Sequence, residues 1–303
     1  MSKFLDYFTN KVIESGVEEV NMFHVAELQG DEAICGYKEA EKRVLIKNNP
    51  CQDVYSIAKS ITATAVGILL ERKILSLDDI VTDILGEDTP ENTHPYWYET
   101  KLSHVLKLQM GLPGGFLDID AYDAREWGDD YLKYMLSYPL TAKPGVEVHY
   151  NDGAYYLLSV LIEKKIGMTL DAFLWKELFY PLGFREVAWS RCPKGHTIGA
   201  TGLYIRVEDM VKYGALYLNG GSWKGKRILS KEWVKYSLEN KITFRPNGVG
   251  KSYSKGGMRE QLIVVVPEEK RVVAWQSMRP EDDVQGFIRI AAEYRDEKEN
   301  ENE

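Results

Sequence analysis

The sequence is short of several things, and each shortage closes a class of function. Three cysteines, Cys35, Cys51 and Cys192, are spread over 303 residues with no CxxC pair. So sparse and odd a count supplies no disulfide framework and fits a reducing compartment. Five histidines (His24, His94, His104, His149 and His196) stand singly, so no zinc site is expected, and no cofactor is called for. Basic side chains are outnumbered, 38 against 46 acidic, for a formal charge of −8. Neither a nucleic acid nor an anionic membrane is expected as partner. Residues 61–70, the longest nearly apolar stretch, reach about half of a membrane span. The opening MSKFLDYFTNKVIESG alternates charge and apolar residues like an amphipathic helix. It lacks the apolar stretch and cleavage site of a signal peptide, so a cytoplasmic location is the expectation. Oligomeric state is open.

What is present is core material. Hydrophobic residues make up 44% of the chain, and 19 tyrosines and 7 tryptophans demand a folded interior. Residues 3–15 read as a helix, followed by two alternating runs, VNMFHVAEL and DEAICGYKEA, that read as strands. From Ser56 to Lys73 the chain is apolar on nearly every face up to Leu70, which predicts a helix buried in the middle of the protein. Ser76-Leu-Asp-Asp then resembles the cap of another short helix. Residues 90–240 are helical in pattern, and QLIVVVPEEKRVVAWQS reads as a β-hairpin before a last helix, DVQGFIRIAAEYR. Strands near both ends and helices between them predict an α+β fold, one sheet built from both termini. The expectation is one domain over 1–295, with a sheet lobe at about 1–60 and 240–295 and a helical lobe at about 61–239. The acidic residues 296–303 are expected to be a disordered tail.

Three elements carry candidate chemistry. Ser56-Ile-Ala-Lys59 opens the buried helix, where free backbone N–H groups and the helix dipole favour negative charge. Lys59, at i+3, shares the face of Ser56, and an apolar setting lowers an amine's proton affinity, which suits a base toward the serine hydroxyl. The opposing reading is a capping serine and a lysine that snorkels to solvent. A second match to the spacing, Ser252-Tyr-Ser-Lys255, opens no buried helix. Tyr150-Asn151-Asp152 precedes the helix GAYYLLSVLIEKK; alone, it reads as a core aromatic and an aspartate N-cap. Lys255-Gly256-Gly257 stands before the strand QLIVVVP, where two glycines allow another backbone to come close and the lysine brings positive charge; alone, it reads as a plain turn.

In this order the three elements resemble the serine β-lactamase, penicillin-binding-protein and related esterase superfamily, with its S-x-x-K, second polar motif and K-T-G. In the branch related to class C β-lactamases the second motif is Tyr-x-Asn and the third is Lys or His, any residue, then Gly. The likeness covers roughly residues 45–280. It implies an antiparallel sheet flanked by helices, a mainly helical lobe, and a site between them. It further implies that Ser56 attacks an ester or amide carbonyl of a small substrate or D-amino-acid peptide. Lys59 and Tyr150 share the proton traffic, and water hydrolyses the acyl-enzyme. The oxyanion would lie between the N–H of Ser56 and one just after Gly257, at Met258; Lys255 would set the electrostatics and meet a substrate carboxylate.

Two features depart from the pattern. Asp152 stands where the family usually has Asn, an acceptor-only group able to keep Lys59 charged and blunt its basicity. The segment MREQ after the third motif is shorter than in true class C β-lactamases. These departures leave a competing reading, a catalytically silent ligand-binding or interaction module; a transacylase is a third. His149 is expected to be a satisfied histidine at a strand end, His104 to pack a helix, and Cys51 to be unreactive. Trp127, Trp175 and Trp223 are expected in the core or cleft wall.

Overall fold

The computed structural model describes residues 3–14, 23–29, 32–38, 51–277 and 284–295. The expected acidic tail and the start of the first strand lie outside them. The predicted hairpin forms from strands Gln261–Val266 and Arg271–Ser277, antiparallel, with Leu262 opposite Trp275 and Val265 opposite Val272. Its turn is the Pro267–Glu269 3-10 turn, closed by Lys270 in the left-handed region at φ 50°. Every residue of both strands is buried, because the sheet is covered on both faces. Leu262, Val264 and Val273 pack with Phe4, Phe8 and Phe287 of the terminal helices Lys3–Glu14 and Val284–Glu293. Ile263, Val265 and Val272 face the opposite way, into the main core. Fully burying each such valine is worth about 1.5–3 kcal/mol.

The hairpin is the centre of a six-stranded antiparallel sheet. On one side Arg271–Ser277 pairs with Phe23–Gln29, which pairs with Glu32–Lys38; on the other Gln261–Val266 pairs with Tyr253–Gly257, which pairs with the short edge strand Arg245–Pro246. The sheet thus combines both ends of the chain in an α+β fold. Helix Val207–Leu218 lies on its inner face, and close approach is possible because Gly214 meets Val272 and Ile263 where a Cβ would intrude. This helix falls within the stretch expected to form the helical lobe, yet it packs on the sheet.

Helix Ile57–Glu71 is buried at each position from Ile57 to Leu69. Its polar residues fix its rotation. Ser60 Oγ donates to Thr243 O at 2.6 Å, Thr62 Oγ1 to Gly199 O at 2.7 Å, and Thr64 Oγ1 bonds the hydroxyls of Tyr213 and Tyr217 at 2.9 and 2.7 Å. Buried hydroxyls demand partners, so any rotation about the helix axis would strand those of Ser60 and Thr62 and break the Thr64 contacts with the two tyrosines. The expected helix cap at Ser76 does not form. Ser76 N–H donates to Asp79 Oδ2 at 2.9 Å within a turn, and the next helix, Val81–Leu85, starts only after extended Ile80. A run of capping residues closed a turn on itself before any helical residue was reached. Among the described residues no helix is long and apolar enough to cross a membrane.

Candidate active site

Ser56 stands at a sharp turn from strand to helix. Gln52–Asp53 pairs with Leu203–Ile205, Val54 N–H donates to Leu203 O at 2.9 Å, and Tyr55 then swings to φ 46° before the helix begins. A left-handed non-glycine residue costs about 1–2 kcal/mol, and here the strain is held by Asp53, whose Oδ1 accepts the Tyr55 N–H at 2.7 Å. The result is a serine presented at the first turn of a fully buried helix.

Lys59 is 1% exposed, and its ammonium makes three contacts, one for each proton. Nζ lies 2.8 Å from Ser56 Oγ, 3.1 Å from Ala200 O and 2.7 Å from Asp152 Oδ1. The snorkelling reading is thereby excluded. Burial is the largest influence on this amine and pushes its pKa down, but Asp152 and Tyr150 together outweigh it, so the net direction is up. Lys59 is therefore held charged at rest, contrary to the lowered basicity expected from an apolar setting. Asp152, which the sequence read as an N-cap, makes no cap hydrogen bond and is spent on this ion pair. Its neighbour caps instead: Asn151 Oδ1 accepts the Ala154 N–H at 2.9 Å.

Tyr150 is 46% exposed, not a core aromatic, and its hydroxyl donates to Ser56 Oγ at 2.7 Å. It is held by its own backbone: Tyr150 O accepts the Gly115 N–H at 2.9 Å, and Asp152 and Gly153 N–H both donate to Phe116 O at 3.0 Å. Those bonds tie the second motif to the loop that carries Asp118 and Asp120. The carboxylate oxygens of Asp118, Asp120 and Asp152 lie within 4.8 Å of one another. The Lys59 ammonium already serves as the cation for Asp152, while Asp120 Oδ2 accepts from Thr201 Oγ1 at 2.8 Å.

The third motif reaches the site through glycine. Any Cβ on Gly257 would overlap Val54 O and press on Tyr55, so this edge of the sheet abuts the segment just before Ser56. Beyond it Met258, 46% exposed, opens a three-residue turn in which Arg259 and Glu260 are left-handed at φ 54° and 63°. The short MREQ segment is thus a tight hairpin turn, with Gly257 opposite Gln261. Lys255 is half-buried, and its amine is pushed down to about 7, first by burial and then by the positive charges of Lys59 and Arg245. The second match to the serine–lysine spacing has no such setting, since Ser252 Oγ is taken up by Asn247 Oδ1 at 2.7 Å in a turn.

The other single residues have local roles. His149 Nε2 is 2.9 Å from Glu147 Oε2 at the surface, and His104 Nδ1 accepts the Lys101 N–H at the start of its own short helix, Leu102–Leu106. The Cys51 thiol is pushed up to about 11, chiefly by burial, which favours its protonated form. Trp127 and Trp223 are buried, but Trp175 is 40% exposed on a π turn and lies outside the core. The residues that sequence reasoning missed come from loops without periodicity: Ala200, Asp118, Asp120 and Thr201. The one available signal was the pair of glycines in Ile-Gly-Ala-Thr-Gly. Gly199 and Gly202 are left-handed at φ 70° and 67° and crowd against Tyr155 O and Ser190, which delivers Ala200 O to Lys59.

The family model described as Beta-lactamase matches residues 11–293. Penicillin-binding protein 4* of Bacillus subtilis (strain 168) is 28% identical over 157 residues, half of this chain and 33% of that protein. The chain spans a third or less of the length of the curated relatives it matches. The octameric penicillin-binding protein homologue from Pyrococcus abyssi superposes with a TM-score of 0.71 over 95% of this chain and 76% of its own, at 20% identity. D-amino acid amidase from Ochrobactrum anthropi SV3 does so with a TM-score of 0.70 over 94% and 96%, at 15% identity. At such identities the likeness is one of fold.

Proposed function

The chain belongs to the Beta-lactamase family, and on that premise we propose that it is a serine hydrolase that forms an acyl-enzyme on Ser56 and cleaves a small ester, amide or D-amino-acid peptide. The single observation that carries this reading is the convergence on Ser56 Oγ of Lys59 Nζ at 2.8 Å and Tyr150 OH at 2.7 Å. Two donors aimed at one hydroxyl oxygen stabilise the negative charge that develops there during attack.

In the reaction Ser56 Oγ bonds to the carbonyl carbon and gives up its proton. Lys59 is held charged at rest, so its first role is electrostatic, and it takes up a proton only after passing its own to Asp152. Tyr150 is the other group in reach, and the two act as one coupled acid–base pair. The proton returns to the departing alcohol or amine as the C–O or C–N bond breaks. Water then attacks the Ser56 ester, giving the free acid and restoring the hydroxyl. The oxyanion of each tetrahedral intermediate lies between the N–H groups of Ser56 and Met258, an arrangement supported by the contact of Gly257 with Val54 and Tyr55.

The test is covalent. A fluorophosphonate probe is expected to add one adduct to the wild-type mass, located at Ser56, and none to Ser56→Ala. Across chromogenic esters, nitrocefin and D-Ala-D-Ala peptides, at least one substrate is expected to lose about 10³-fold or more in kcat/KM in Ser56→Ala. Absence of an adduct under conditions that label a control hydrolase, together with equal background rates, would favour the silent binding module instead.

A further inference from the structure

We propose that Glu260, with the side-chain oxygens of Gln261 and Gln276, binds a monovalent alkali cation that holds the turn after the third motif. The binding stands apart from the hydrolase reading; only its effect on turnover rests on that reading. Five carboxylates are buried among the described residues: Glu27, Asp152, Glu163, Asp209 and Glu260. Four of them have a basic partner. Asp152 meets Lys59 and Asp209 meets Lys212, each at 2.7 Å, Glu163 meets His196 at 2.6 Å, and Glu27 lies 3.7 Å from Arg271. Glu260 is 7% exposed, has no basic partner among the described residues, and accepts no hydrogen bond at either oxygen. It is the one carboxylate among them with both oxygens buried and unbonded. The adjacent guanidinium does not serve it. Arg259 is exposed, and its charge bears on Tyr55 and Asp120 instead.

Two further oxygens lack a donor at the same end of the central hairpin. Gln261 follows Glu260 and, one rung beyond the Leu262–Trp275 pair, stands opposite Gln276. Gln261 Nε2 donates to Arg259 O at 3.2 Å and to Ser277 O, which draws its side chain across to the end of the neighbouring strand. Gln276 Nε2 donates to Ile205 O at 2.8 Å. The Oε1 of each amide is buried and accepts nothing. A carboxylate taken out of water without a positive charge beside it is costly, so the group calls for a cation. Ligands that are all oxygen select a hard ion over zinc or copper. One carboxylate with two neutral amide oxygens balances a single charge, whereas calcium sites ordinarily use several carboxylates and magnesium keeps several waters. Sodium and potassium share the chemistry that is left.

The position gives such an ion a task. Arg259 and Glu260 are both left-handed, at φ 54° and 63°, and residues other than glycine persist there only where their surroundings hold them. Met258, whose N–H is the second candidate oxyanion donor, opens the same turn. An ion seated on Glu260 ties that turn to the end of the sheet through Gln261 and Gln276, and so fixes the Met258 N–H.

The experiment takes the full chain dialysed into choline chloride and replaces choline stepwise by sodium or potassium at constant ionic strength. The melting temperature is expected to rise saturably in at least one alkali salt, by about 2–4 °C, and the two titrations tell sodium from potassium. Glu260→Gln removes the buried charge at nearly constant volume. It is expected to melt at or above wild type in choline chloride and to ignore both ions. Crystals soaked in thallium(I) acetate are expected to show anomalous density at Glu260 in the wild type and none in the variant. With a chromogenic ester, kcat is expected to rise about tenfold or more at the same ion midpoint as the melting temperature. Equal melting of the wild type in all three salts, or an alkali response that survives Glu260→Gln, would overturn the proposal. A response to calcium alone would overturn the assignment to a monovalent ion, and turnover that ignores the ion while melting responds would overturn the link to Met258. If no ester is turned over and Ser56 takes no label, the hydrolase reading falls while the melting and thallium results still decide the cation site.

Discussion

The crevice holds two lysines from opposite sides, and they end in opposite states. Lys59, on the buried helix, is 1% exposed, yet its pKa is raised; Lys255, on the sheet edge, is half-buried, and its pKa falls to about 7, first through burial. The difference is company. Lys59 has a carboxylate at 2.7 Å and a hydrogen-bond acceptor for each proton, whereas Lys255 faces the positive charges of Lys59 and Arg245. Burial disfavours the charge on both, and the neighbours decide which amine keeps it. One crevice thus contains an amine that is charged at rest beside the serine and a titratable amine across from it.

The largest way to break this comparison is to remove the company of Asp152. Lys59→Met leaves a buried carboxylate without its cation and is expected to cost about 3–5 kcal/mol of stability. Lys59→Met combined with Asp152→Leu is expected to recover most of that loss, while remaining inactive. Urea denaturation of the two variants beside wild type checks both statements; equal stability of the single and double variants would show that the ion pair is not what holds the site together.

A smaller effect sharpens the other side. The Lys255 amine is charged below its folded pKa of about 7 and neutral above it. A rate that depends on this charge is therefore full in mild acid and declines as pH rises through about 7. In Lys255→Arg the group stays charged throughout, so the alkaline decline is expected to vanish or move well upward in a pH profile of kcat/KM. A decline that stays in place would assign it to another group.

The smallest expected effect concerns a carboxylate with no ion pair among the described residues. Asp53 is raised to about 6, first by burial, with repulsion from Asp120 adding to it and the Tyr55 N–H opposing. Its folded pKa lies above the unfolded value, so its contribution to stability is full below about pH 4 and lost as pH rises through 6. Asp53→Asn keeps an oxygen for the Tyr55 N–H and removes the charge. It is expected to be more stable than wild type by about 1–2 kcal/mol at pH 8 and to converge with it near pH 4. Thermal melts at the two pH values read this directly.

The site was partly legible in the sequence for reasons that can be named. Ser56 and Lys59 stood out because a lysine in an apolar helix needs a partner; the paired glycines at Gly257 allowed close approach but read, on their own, as a plain turn. Tyr150 and Asp152 were misjudged on local evidence. A tyrosine's exposure and an aspartate's choice between a cap and a distant amine depend on what lies opposite, which no neighbouring residue reports. Ala200, Asp118 and Asp120 were invisible, since they reach the crevice from loops with no period to read.

The sequence by itself determined the α+β class, the buried helix that opens at Ser56 and the central hairpin, because hydrophobic periodicity and turn chemistry are local properties of the chain. Only the tertiary structure decided that Asp152 pairs with Lys59, that Asn151 takes over the cap, and that Lys255 is left among positive charges. The first and the last turn on Lys59, which meets Asp152 and Lys255 from far along the chain, and burial magnifies such interactions while leaving no mark on the order of the amino acids.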